Sequence, residues 1–411
     1  MGVKKERNYT IELVRFVFAI NFLLIHVFAV VPRIVGAEPP FTSLYDTIIP
    51  FMAFSGFFLM QSFDKKYKQL EGTPTTAGHQ AWLYLKARLV SLMPLFILAT
   101  LLAAIGFCLI IQLPPIVWPK YFLDILCEFF GLQITGFGCG NAFVGTIPER
   151  ATGISGSMAN GPLWFMSGIF ICGYLIYYLL WRNRDKFVSF IAPVTILLYY
   201  GSCYMTDTLP LWTVVHELGG LAVASGFLNM FCGMSLGVLM NVACNSVKDK
   251  EWSPGFKALL AVVQILCTIL VMIRTWVSST SPIYGYLDYG WGVAFLLSTI
   301  FTFLCVFNQD YFTRCPLFSN KIWAIPGRLA LYIYALHYPI ILFVTRGMGI
   351  TQGMGEIYLD NIWTVFAIST ILSIVLGYAV MEFEQKVLMP WFKSKPWFSK
   401  DQRAKELEAD V

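Results

Sequence analysis

Residues Ile11–Val30 read IELVRFVFAINFLLIHVFAV, an apolar run long enough to cross a bilayer, interrupted by one acid, one arginine and one histidine: Glu12, Arg15 and His26. How these polar groups are read decides the fold and the function together. The chain around them is 57% hydrophobic and 13% charged over 411 residues, against about 25% charged in a soluble domain. Its mean hydropathy is +0.66. This composition predicts an all-α polytopic membrane protein. Lys4, Lys5 and Arg7 precede the first run as they would precede a signal peptide. A length near twenty residues and the lack of a small-residue cleavage site instead predict a retained first helix.

Ten apolar runs of about this length recur, near 10–31, 47–63, 89–112, 161–181, 187–206, 221–241, 256–277, 289–307, 329–347 and 361–381. Tyr121–Phe137 is apolar on balance but carries Asp124 and Glu128 between a Pro-rich and a Gly-rich stretch. Loop charge decides its status. If it crossed, Arg182, Arg184 and Lys186 would face outward and every later loop would invert. With ten crossings, 23 of the 29 Lys and Arg fall on the inner side, Arg15 lies within the first span, and only Arg33, Lys120, Arg150, Arg274 and Arg346 lie on or near the outer side. This bias predicts both termini in the cytoplasm and makes Tyr121–Phe137 an outer interfacial or re-entrant element. Residues 1–385 form the membrane domain and 386–411 a charged cytoplasmic tail.

Ten cysteines lie mostly singly within apolar runs, none at zinc-ligand spacing, and are expected to be packing residues, with no metal site. The formal charge of +5 resides mainly in short loops beside spans, so it reports orientation and implies no nucleic-acid partner.

Arg15 and His26 are eleven positions apart, which at 100° per residue leaves them only about 20° apart around a helix and about 16 Å apart along it. They share a face. Glu12, one turn before Arg15, can pair with it. An arginine within the membrane costs at least about 2.5 kcal/mol even on the mildest insertion scale, so it should face protein or a water-filled cavity and meet an anion. Histidine near neutrality carries protons either way. One helix face thus offers an anion-binding group near the cytoplasm and a general base deeper in. The plain alternative is that Arg15 snorkels inward against Glu12 while His26 bonds a neighbouring helix.

These residues resemble the [DE]xxRxxxxxxxxxxH pattern of the bacterial integral-membrane acyltransferase 3 family, O-acyltransferases of extracytoplasmic sugars. FMAFSGFFLM at 51–60 is similar to that family's FFxxSGF segment, and LKARLVSLMPLF at 85–96 to its RLxRLxP segment. GPLWFMSGIFICGYLI at 161–176 resembles its LWxL segment, FLNMFCGMSLGVL at 227–239 its FxxGxxLG span, and LYIYALHYPIILF at 331–343 its YxLYLLHxP segment, which places His337. Ser91 stands where the third-span motif often has a second arginine, and Ile169 where many members carry glutamate.

The resemblance implies a bacterial inner-membrane enzyme of the cell envelope. It would move an acetyl or other short acyl group from a cytoplasmic acyl-CoA, acetyl-CoA above all, to a hydroxyl of an extracytoplasmic glycan or lipid-linked sugar. O-Acetylation and polysaccharide modification follow from this, with the acyl-CoA a substrate and no cofactor held permanently. His26 and Arg15 would be catalytic, with Glu12 and His337 in support. Arg15, Arg88, Lys86 and Ser55 would bind the donor and Trp164 the acceptor.

Each of the other positions has a second interpretation. His337 precedes Pro339 and is either part of the site or bonded to a carbonyl that the proline frees. Ser55-Gly56 serves the donor chain or close helix packing. Trp164 is an acceptor platform or an interfacial anchor. His216-Glu217 is an acceptor-side acid/base pair or a solvated one, and Lys65, Lys66, Lys68, Lys86 and Arg88 attract phosphates or merely mark the inner side. The rival function is a transporter or flippase with Arg15, His26 and His337 lining the path.

Overall fold

Helices cover all ten expected segments in the computed structural model, which describes residues 8–35, 45–111, 125–126, 128–131, 160–205, 215–218, 221–276, 290–350 and 361–394. They are α1 (Tyr9–Val35), α2 (Tyr45–Gln69), α3 (Ala77–Ile111), α4 (Trp164–Lys186), α5 (Ala192–Met205), α6 (Ser225–Ser246), α7 (Pro254–Trp276), α8 (Gly290–Phe307), α9 (Ala324–Gly347) and α10 (Ile362–Phe383). Seven stretches among the described residues are long and apolar enough to cross a membrane. One of them, Gly161–Met205, is a 45-residue run holding both α4 and α5. The two are separated where Asn183 leaves helical geometry (φ −165°, ψ 95°) and Phe187–Ile191 form a π turn. The charged RNRDK stretch lies at this break, since it gains nothing from lipid.

The chain is an all-α polytopic membrane protein with one small departure. Val215–Leu218 (β1) pairs antiparallel with Leu221–Ala224 (β2). Consequently α6 starts at Ser225, four residues later than the apolar run alone implies. Gly219 and Gly220 separate the two strands in the sequence, the residue type that two-residue hairpins favour. Of the expected 386–411 tail, residues 386–393 continue as helix and those from 395 onward lie outside the described residues.

Two seams organise the bundle. Along the first, α1 and α9 run parallel: Glu12 sits against Gly327, Phe22 against Tyr334, and His26 against His337. A Cβ at Gly327 would stand 2.7 Å from the Glu12 Cα, so only glycine lets the helices approach there. The second seam joins α2 to α6, where a Cβ on Gly56 would lie 2.6 Å from the Met234 carbonyl carbon and one on Gly237 2.7 Å from that of Ala53. In lipid, apolar burial does not drive helices together, and small residues that allow close backbone contact do much of that work. The glycine of Ser55-Gly56 is therefore a packing residue. On α7 and α10 the outer faces expose Leu259, Val262, Leu266, Ile371 and Val375, as a lipid-facing surface requires.

The short Tyr121–Phe137 segment is described only at 125–126 and 128–131. Ile125 and Glu128 are buried and Gly131 (φ +68°) packs against Ser167 and Phe170 of α4, while Leu126 and Phe130 are exposed.

Candidate active site

Parallel packing of α1 on α9 brings His26 and His337 together, with ring centroids 4.8 Å apart at 61°. His26 is partly exposed and His337 fully buried. The Nδ1 of His26 lies 2.7 Å from the Phe22 carbonyl oxygen, and that of His337 2.6 Å from the Tyr334 carbonyl oxygen. A carbonyl only accepts, so in each neutral ring Nδ1 carries the hydrogen and Nε2 the lone pair. His337 Nε2 has no hydrogen-bond partner among the described residues. Two imidazoles are thus oriented by carbonyls of their own helices.

Pro339 removes the N–H that would have bonded the carbonyl of Ala335. That oxygen is met not by His337 but by Asn160, whose Nδ2 donates to Ala335 O at 3.3 Å and to Ala99 O at 3.2 Å. The Asn160 backbone N–H in turn donates to the Glu128 carboxylate at 3.2 Å. Asn160 and Glu128 are fully buried. Together they tie α3, α9, the start of α4 and the 125–131 segment into one joint beside the histidines, so His337 is spared for the site. The Pro339 gap is the signal by which a partner such as Asn160 can be sought.

Arg15 and Glu12 pair as expected, Nη1 to Oε2 at 3.3 Å, with Glu12 buried and the arginine side chain 27% exposed. Glu12 lines a cleft of about 500 Å³ together with Phe57, Gln61, Asn245, Lys248 and Arg314. A neighbouring cleft of about 410 Å³ shares Gln61, Asn245 and Lys248 and adds Asp64, Lys65, Lys68 and Arg184. Arg184 is engaged by Asp64 and Asp185, and Arg314 by Asn308 and Gln309. Lys65, Lys68 and Lys248 make no ion pair among the described residues. This basic mouth lies at the end of the bundle where α1 begins. Lys248 and Arg314 belong to it although they sit far from Arg15 in sequence.

The remaining expected residues lie elsewhere. Arg88 is on the α3–α4 side, its Cζ 5.2 Å from the centroid of the Tyr84 ring, which itself stacks on Tyr177. Lys86 is half-buried on the same helix. The Ser55 hydroxyl donates to its own helix, to Phe51 O at 2.9 Å. Trp164 is buried beside Phe165 at the first turn of α4, so it is no lipid-facing anchor. His216 and Glu217 lie in β1, opposite Val223 and Ala222.

The pair of oriented imidazoles and the cationic mouth thus lie about 16 Å apart along the same helix. Residues 8–382 match the family model described as an acyltransferase domain, and the chain belongs to the acyltransferase 3 family. It is therefore a membrane acyltransferase that transfers acyl groups other than aminoacyl groups. No curated protein and no solved structure matches the chain.

Proposed function

We propose that the protein moves an acetyl or other short acyl group from a cytoplasmic acyl-CoA to a hydroxyl on an extracytoplasmic glycan or lipid-linked sugar, in the inner membrane of a bacterium. The observation that carries this is the His26–His337 pair, held 4.8 Å apart with each Nδ1 on a backbone carbonyl. Orientation follows from loop charge: with the basic mouth in the cytoplasm, the histidines lie deeper toward the opposite face.

In this scheme phosphates of the donor meet Arg15 and the lysines of the mouth, and Glu12 holds Arg15 in place. Arg88 and Lys86, on the α3 side, add to the field that draws the anion in. The acyl end reaches the histidine layer. Nε2 of His26 takes the proton of the acceptor hydroxyl as its oxygen bonds the thioester carbonyl carbon. The C–S bond then breaks, and the imidazolium returns that proton to the departing thiolate. His337 shares the charge that develops on His26, and Trp164, buried near this level, contacts the sugar. Among known membrane proteins a transporter path also uses intramembrane Arg and His, but the family match favours acyl transfer.

The test is incubation of purified protein in proteoliposomes with labelled acetyl-CoA inside and candidate glycans outside. Label should reach the glycan with wild type and be lost with His26→Ala. Transfer by His26→Ala within a few-fold of wild type, in folded protein, would remove the assignment.

A further inference from the structure

Between the basic mouth and the histidines lies a layer of four aromatic rings from four helices. Phe22 of α1, Phe51 of α2, Phe165 of α4 and Tyr334 of α9 meet with centroid separations of 5.4 Å (Phe22–Phe51), 5.3 Å (Phe22–Tyr334), 6.1 Å (Phe51–Phe165), 6.3 Å (Phe51–Tyr334) and 5.6 Å (Phe165–Tyr334). These are contact distances for packed rings. Phe22, Phe165 and Tyr334 are buried and Phe51 partly so.

Helices α1 and α9 place the layer between the two polar regions, and α2 sets it apart from the cleft. On α1, Phe22 follows Arg15 by seven residues and precedes His26 by four, about 10 Å and about 6 Å along the axis. On α2, Phe51 stands ten residues from Gln61 of the cleft, about 15 Å. On α9, Tyr334 follows Gly327, which packs on Glu12, and precedes His337 by three residues.

A thioester arm anchored at the mouth has to bring its carbonyl carbon past these rings, and rings in contact leave no passage for it. We propose that the Phe22–Phe51–Phe165–Tyr334 layer is the gate that determines acyl-group specificity: it parts to admit the arm, and its width sets the largest acyl group that reaches the histidines. The inference rests on the acyl-CoA reading above. Tyr334 links the gate to the chemistry. Its hydroxyl donates to the Pro162 carbonyl at the start of α4, and its own carbonyl accepts from His337 Nδ1. Movement of this residue therefore reorients His337, which packs on the base His26.

The experiment compares acetyl-CoA, butyryl-CoA and octanoyl-CoA as donors for wild type, Phe51→Ala, Phe51→Leu and Tyr334→Phe in proteoliposomes, with thermal unfolding as the check on folding. Phe51→Ala should raise kcat/KM for octanoyl-CoA relative to acetyl-CoA at least tenfold, Phe51→Leu by a smaller factor. Tyr334→Phe, which keeps the ring but cuts its tie to Pro162, should raise the ratio about threefold. If Phe51→Ala does not fold, the other two variants carry the test. An unchanged donor ratio in folded variants, with wild type turning over acetyl-CoA, overturns the gate and leaves the acyl-CoA donor standing. Failure of folded wild type to bind or turn over any of the three thioesters overturns the donor reading, and the gate with it.

Discussion

The two polar regions of α1 are built in opposite ways. Around His26 the surroundings are close-packed: a second imidazole 4.8 Å away, an aromatic floor, and Nδ1 on a carbonyl of its own helix. Around Glu12 the protein opens into a cleft of about 500 Å³ edged by Lys248 and Arg314, next to one of about 410 Å³ that adds Lys65 and Lys68. Proton transfer demands heavy atoms within hydrogen-bond reach, so its groups are oriented beforehand. Capture of a polyanion needs only a field and room to accommodate it. On the proposed function, the contrast places rigidity where bonds change and looseness where charge is collected.

The comparison breaks most severely at the rigid end. His26→Ala should lower single-turnover label transfer by about 10²–10⁴, the usual worth of a positioned general base. If the fall is less than tenfold, the histidine layer is not where the proton moves. The pH profile sharpens the same point. In the proposed step a neutral imidazole accepts the proton, so transfer should fall as the medium is acidified. His26→Ala should abolish this acid limb together with the rate.

Next in size is the joint that holds His337. Asn160→Leu leaves the Ala335 carbonyl without its donor in a buried setting, at a cost of about 1–3 kcal/mol. A drop in Tm in detergent accompanied by a roughly tenfold loss of kcat is expected; a stability loss with kcat untouched would reduce the joint to scaffolding.

At the loose end the effects should be smaller and of another kind. Arg15→Ala should raise KM for the donor about tenfold while kcat changes by less than threefold, read from initial rates against acyl-CoA concentration. Equal effects on both constants would give Arg15 a place in the transition state. Smallest of all, Lys248→Ala should weaken donor binding two- to fivefold at low salt and hardly at all at high salt, because exposed charges are screened. Salt-independent loss would mean a specific contact and a tighter mouth than the structure shows.

Several parts of the site were legible without coordinates. Apolar run lengths marked out the ten helical segments, and the eleven-residue spacing set Arg15 and His26 on one face of α1. Pairing of Glu12 with Arg15 followed from a single turn of helix. His337 is different: it lies more than 300 positions from His26, and no spacing rule connects them. The same holds for Lys248 and Arg314 at the mouth, whose loops looked like ordinary inner-side loops. Glu128 stood out as an acid in an apolar stretch, yet its partner Asn160 had no distinguishing pattern beyond the need of Pro339 for a donor elsewhere. For Ser55 and Trp164 the motif position alone did not say that the hydroxyl bonds its own helix or that the indole is buried.

By itself, the amino-acid order determined which stretches leave water and how one helix arranges its polar face, because transfer from water to hydrocarbon and the 3.6-residue turn are local properties. Only the tertiary structure decided which faces meet. Within lipid every apolar face is equally at home, so partners are chosen by shape and by hydrogen bonds that no single helix can complete. Gly327 under Glu12, Gly56 and Gly237 at the α2–α6 seam, and Asn160 on the carbonyl freed by Pro339 make those choices. The His26–His337 pair is their consequence.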